Sequence, residues 1–265
     1  MTRTGLIIGA SHAAALRLAY GKWRGDWLGM TLEFAALQGS VDDLMVQDGT
    51  LVARDDAARA KLQVSSGKTS FALADYGFVA VCGGVSGSFS GIRLYNQARC
   101  HALPSVAAGQ MPTGEVSLLS NACFAAALRG IIRSRAAFDL LTCIGQTVDQ
   151  PLYAISEPML SYAGLADKTR FHGFRTLRRN GDAQAMAILL EAASSSAYAG
   201  LAHYIPPPDA VRKDGYFTDP ALRRGATRLG AADQVPQPAD DYLHGNADYG
   251  RHILTALHDA LPDLS

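Results

Sequence analysis

The sequence has no excess of either charge. In 265 residues, 24 Lys+Arg stand against 24 Asp+Glu. That balance excludes a broad phosphate-neutralising surface, so nucleic acid is not an expected partner. Long hydrophobic runs are missing too. The apolar stretch 122–128 and its like are broken by Arg or Gly well short of the ~20 residues a membrane span needs, so no membrane partner is expected. Cysteine is scarce: Cys82, Cys100, Cys123 and Cys143 show no CxxC spacing. Neither a zinc site nor a disulfide framework follows, and reduced, mostly buried thiols are expected. His101, His172, His203, His252 and His258 are too scattered for a metal set. The first apolar run, residues 5–9, is too short for the core of a signal peptide and reads as a strand, which points to a cytoplasmic protein. Disorder is excluded as well, because 48% of the residues are hydrophobic and only 18% are charged.

The chain carries alternating strand and helix signals. Strands are expected at 5–9, 31–37, 76–82, 152–155 and 202–205, with a hairpin over 44–52 turning at Asp48-Gly49. Helices are expected at 13–20, 55–62, 115–135 and 249–261, and over 168–198 with a break near Asn180-Gly181. The Gly- and Ser-rich stretch 85–114 reads as a long functional loop, and the Pro-rich stretch 206–240 as another. No repeat or linker divides the chain, so one domain over 1–265 is expected. The alternation is that of an α/β fold.

Two constellations carry chemistry. The first is Gly9-Ala10-Ser11-His12, where a serine follows the first strand and precedes a helix. Ligands of open α/β sheets gather at the carboxyl ends of strands, and backbone N–H groups at a helix start suit a developing oxyanion. Ser is also a favoured helix N-cap. The second is Asp241-Tyr242-Leu243-His244, before the last helix. An Asp three residues from a His can orient the imidazole, which then serves as base to a serine.

A serine after the first strand paired with DxxH before the last helix resembles the SGNH/GDSL hydrolase superfamily, in its Gly-x-Ser-His variant. Asn246 and Tyr249-Gly250 are similar to the ending of some bacterial members. The resemblance spans the layout of the chain but rests on a few short patches. It implies a three-layer α/β/α, flavodoxin-like fold with a mostly parallel central sheet of about five strands. It also implies a serine esterase in which Ser11 is the nucleophile, His244 the acid and base, and Asp241 the orienting carboxylate. Oxyanion donors would come from the backbone at Ser11, Gly39 and Gly84. The implied substrate is a carboxylic ester, with a short acyl group on a carbohydrate or small molecule; no metal and no cofactor are implied.

The sequence departs from the family at the third strand. The family has Gly-x-Asn-Asp there, and this chain has Cys82-Gly83-Gly84-Val85-Ser86. Substitutes for the missing Asn are a backbone N–H of Gly84 or Val85, the Ser86 hydroxyl, or Asn96. Arg93, Asn96 and Arg99 are candidates for holding substrate. His12 lines the pocket or caps the helix, with no catalytic role assigned. Acyl transfer to another acceptor uses the same residues, and a non-catalytic relative is the reading the missing Asn favours. A Rossmann oxidoreductase fits poorly: Gly9, Ser11 and Ala14 hold only one of its three glycines. An α/β-hydrolase fits no better, since Ala13 replaces the second glycine of G-x-S-x-G.

Overall fold

The computed structural model describes residues 3–110, 116–230 and 235–262. Its centre is a sheet of β1 (Arg3–Gly9), β2 (Met30–Ala36), β3 (Phe78–Cys82), β4 (Leu152–Ile155) and β5 (His203–Ile205). All neighbours pair in parallel, in the order β2-β1-β3-β4-β5. This is the flavodoxin-like order. The chain leaves β1 toward β2 and returns to β3 on the other side, so a crevice opens at the carboxyl ends of β1 and β3.

The strands are apolar because both of their faces are covered. On one face, Ile7, Phe78, Ala80 and Ile155 pack with α1 (Ala13–Lys22) and with the closing helix Ala247–Ala260. On the other, Leu6, Ile8, Val79, Val81 and Ala154 pack beneath the remaining helices. These are α2 (Asp56–Ser66), α3 (Ser88–Tyr95), α4 (Asn121–Arg133), α5 (Ala136–Gly145), α6 (His172–Arg179) and α7 (Ala183–Tyr198). The closing helix is α8. The result is a three-layer α/β/α arrangement. The α1–α8 approach depends on Gly250, where a Cβ would run into the carbonyl oxygen of Ala15.

Two segments differ from their sequence reading and a third follows it. The expected loop over 85–114 contains α3, a strand at Ala98–Cys100 and a helical turn at Pro104–Ala107. Its Gly and Ser content lowers helix propensity, but close packing needs small residues there: a Cβ at Gly91 would collide with the Tyr216 hydroxyl. Tertiary burial overrides propensity in such a segment. The helix expected over 115–135 is shorter. Ser117–Leu119 is a strand paired with Ala98–Cys100, Ser120 caps α4 through its side chain, and α4 ends at Arg133. Glu115 lies outside the described residues. A separate helix, α5, then starts at Ala136, so Arg135 sits in an extended elbow with φ −93° and ψ 146°. The stretch over 206–240 is largely irregular as expected, with residues 231–234 outside the described ones.

Asp48 and Gly49 both adopt positive φ, at 48° and 74°, as a two-residue hairpin turn requires. Cys82 and Cys100 are buried, whereas Cys123 and Cys143 are exposed, so the thiols are not mostly buried.

Candidate active site

Ser11 lies just past the carboxyl end of β1. It is not the cap of α1: the N-cap position belongs to His12, which makes no side-chain cap bond. The serine hydroxyl turns instead to the other end of the chain. Ser11 Oγ is 2.8 Å from His244 Nε2, and His244 Nδ1 is 2.7 Å from Asp241 Oδ2. Asp241 Oδ1 accepts from the Leu243 N–H at 2.9 Å, which fixes the carboxylate plane. The Asp241 and His244 side chains are 10% and 20% exposed. Burial alone would raise the Asp241 carboxyl. The hydrogen bonds from His244 and Leu243, with the His244 and Arg223 charges, outweigh burial and hold the group below the usual carboxylate value. An ionised Asp241 only accepts, so His244 carries its proton on Nδ1 and offers Nε2 to the serine hydroxyl.

Asn246 holds this loop in place. Its Oδ1 accepts from the Tyr249 N–H at 3.0 Å, capping α8. Its Nδ2 donates to the Ala221 and Arg224 carbonyls at 3.0 and 2.9 Å, and its own N–H donates to Leu222 O at 2.8 Å. One side chain thereby joins the 206–240 segment to the loop that carries the histidine.

His12 stacks on His244, with ring centroids 4.9 Å apart and 27° between planes. Burial pushes the His12 imidazole down to about 4, assisted by the His244 and Arg135 charges and opposed by Glu157 and Asp241. Its Nδ1 is buried and makes no hydrogen bond. The ring stacked on His244 is therefore neutral at pH 7.

A cleft of about 410 Å³ opens beside Ser11, lined among others by Gly39, Asp42, Gly84, Arg135 and Glu157. Gly39 has φ +144°, and a Cβ there would lie 2.6 Å from Asp43 Oδ2. Among the described residues nothing accepts from the N–H of Ser11 or of Gly39, so both remain available as donors. Gly84 is different. It lines the cleft, but its N–H already donates to Glu157 Oε1. The N–H expected to face an oxyanion is thus occupied by a carboxylate in this structure.

Arg93 and Asn96, expected to hold substrate, are not brought to the cleft. Both lie on or just beyond α3, both are exposed, and neither lines the cleft. The helix carries them away, since each residue advances the chain by about 1.5 Å. Asn96 packs against Gly173 instead. Arg99 is buried over the Tyr95 ring, 3.3 Å from its centroid. The Ser86 hydroxyl is engaged with Tyr204 OH at 2.9 Å.

Asp42, Glu157 and Arg135 are cleft residues that escaped the sequence reading. Glu157 follows β4 by two residues, and the rule that ligands gather at strand carboxyl ends could have found it. Arg135 gave no such signal, because its exposure to the cleft depends on the elbow between α4 and α5. Arg135 Nη2 lies 2.6 Å from Glu157 Oε1, with side chains 28% and 15% exposed.

No family model matches the chain, and no curated protein matches it. Among solved structures it is similar to a DUF4886 family protein from Bacteroides uniformis ATCC 8492. The two share 15% sequence identity with a TM-score of 0.40, over 98% of this chain and 95% of that one.

Proposed function

We propose that the protein is a serine hydrolase of carboxylic esters that works through an acyl-enzyme. One observation carries the reading: the unbroken line Ser11–His244–Asp241, with links of 2.8 and 2.7 Å. Serine is a weak nucleophile without a base, and a base without an orienting acceptor loses its tautomer. The resemblance to the SGNH/GDSL superfamily supports the same roles.

Ser11 Oγ attacks the ester carbonyl while His244 Nε2 takes its proton. The imidazolium that forms is stabilised by Asp241, and the neutral His12 ring adds no opposing charge. The N–H groups of Ser11 and Gly39 donate to the oxyanion. Collapse expels the alcohol, which takes the proton from His244. Water then attacks the acyl-enzyme with His244 again as base, restoring Ser11. The cleft volume suits a small acyl group on a compact alcohol, and Asp42, Glu157 and Arg135 offer polar partners to a hydroxylated one.

The test is hydrolysis of p-nitrophenyl acetate, with Ser11→Ala and His244→Ala each expected to abolish turnover. A fluorophosphonate probe is expected to modify Ser11, read by peptide mass spectrometry. Undiminished turnover in Ser11→Ala refutes the assignment.

A further inference from the structure

The wall of the cleft that carries Gly84 lacks the side-chain donor that the resemblance calls for, and of its two backbone substitutes one is already used and the other, Val85, does not line the cleft. The Gly84 N–H is bound to Glu157, and the Ser86 hydroxyl to Tyr204. A carboxylate left alone on that wall would oppose negative charge forming at Ser11. Yet the same wall carries a cation. Arg135 enters from the elbow before α5, and its guanidinium is held at three points. Nε donates to Gly84 O at 2.8 Å, Nη1 to Ser90 Oγ at 3.3 Å and Nη2 to Glu157 Oε1 at 2.6 Å.

We propose that Arg135 is a catalytic residue that donates a hydrogen bond to the oxyanion formed on Ser11, in the place of the absent Asn. The inference rests on the reading of Ser11 as nucleophile. A guanidinium has five N–H bonds. Three are directed to the partners above, which leaves one on each Nη. The three anchors fix the plane of the group, so orienting it for the reaction requires little further ordering. Glu157 is the counter-ion that fixes and neutralises the cation in the resting cleft.

The bonds balance without any transfer from Arg135. Ser11 Oγ bonds to the carbonyl carbon, the carbonyl π pair moves to its oxygen, and the serine proton goes to His244. Arg135 shares a proton with that oxygen but keeps it. When the tetrahedral species collapses, the C=O double bond re-forms and the leaving alcohol takes the proton from His244.

The experiment compares kcat and KM for p-nitrophenyl acetate with the Ki of a trifluoromethyl ketone, which adds to Ser11 as a hemiketal oxyanion. In Arg135→Met, kcat is expected to fall by about 10²–10³ with KM within a few-fold, the size of one lost oxyanion donor. The ketone Ki is expected to rise in parallel, which a purely structural role would not produce. The double variant Arg135→Met/Glu157→Ala frees the Gly84 N–H and tests the rival donor. It is expected to stay as slow as Arg135→Met, and recovery of wild-type kcat overturns the proposal. Wild-type kcat and Ki in Arg135→Met overturn it as well. Should that variant fail to fold, Arg135→Lys carries the test: a fall in kcat and a weaker ketone are expected, and wild-type values for both overturn the role. A wild-type protein without Ser11-dependent turnover sinks the esterase reading itself. An active wild type with an unaffected Arg135→Met sinks only the role of Arg135.

Discussion

Acid is expected to weaken this fold through His12, and the size of the effect follows from its burial. The imidazole sits at about 4 in the folded protein against an ordinary value of 6.5. The unfolded chain therefore binds this proton first as the pH falls. Stability drops between about pH 6.5 and pH 4, and this group contributes no further loss below that. At ~1.36 kcal/mol per unit, the full shift corresponds to about 3 kcal/mol at most, a large share of the ~5–15 kcal/mol that holds a domain together. Urea unfolding of the wild type and of His12→Phe, repeated from pH 7.5 to pH 4, isolates the term. Phenylalanine keeps a flat ring against His244 without a titrating nitrogen, and it removes the buried Nδ1 that has no partner. Titrations of other groups, Asp241 included, appear in both proteins and cancel in the difference. His12→Phe is expected to gain on the wild type by about 3 kcal/mol across that range. A difference between the two that stays constant with pH would refute the claim that His12 is held neutral by burial.

Three further outcomes follow from named contacts. Asn246→Ala removes the α8 cap and strands the Ala221 and Arg224 carbonyls, so it is expected to cost about 2–3 kcal/mol in denaturant unfolding and to lower kcat by loosening His244. Gly250→Ala places a methyl against Ala15 O, and calorimetry is expected to show a Tm several degrees lower as α8 is pushed off α1. Asp182 is fully buried and accepts from Tyr95 OH, Ser105 Oγ and Ser105 N–H at 2.7, 2.6 and 2.8 Å. Asp182→Ala is expected to destabilise by roughly 3 kcal/mol while kcat of the surviving folded protein stays within twofold, a separation checked by measuring turnover below the new Tm.

The parts of this protein that could be read from the chain are those set by neighbours in sequence. β1 and β3 announce themselves as short, almost wholly apolar runs because each is buried on both faces, a pattern visible within five or six residues. The break between α6 and α7 is written in Asn180-Gly181, and the hairpin in Asp48-Gly49. Ser11, Asp241 and His244 were recognisable by residue type and by position relative to a strand and a helix, and they meet within hydrogen-bonding distance across 233 positions. The helix α3 was not recognisable, since its Gly91 makes room for Tyr216 and its Ser88 and Ser90 hydroxyls accept from Leu160 N–H and Arg135, none of which local helix propensity favours.

What the sequence by itself determined was a serine, a histidine and an aspartate of the right kinds beside the right elements. The tertiary structure decided what faces them. Gly39, Gly84, Arg135 and Glu157 become neighbours only when the parallel sheet aligns the carboxyl ends of its strands and the elbow before α5 turns inward. Each of those residues looks ordinary among its own neighbours in the chain. Whether an N–H is open to a substrate or already bound to a carboxylate depends on a partner 73 residues away, as it does for Gly84 and Glu157. Propensity and periodicity act over a few residues, whereas hydrogen-bond occupancy and charge balance are properties of the assembled cleft.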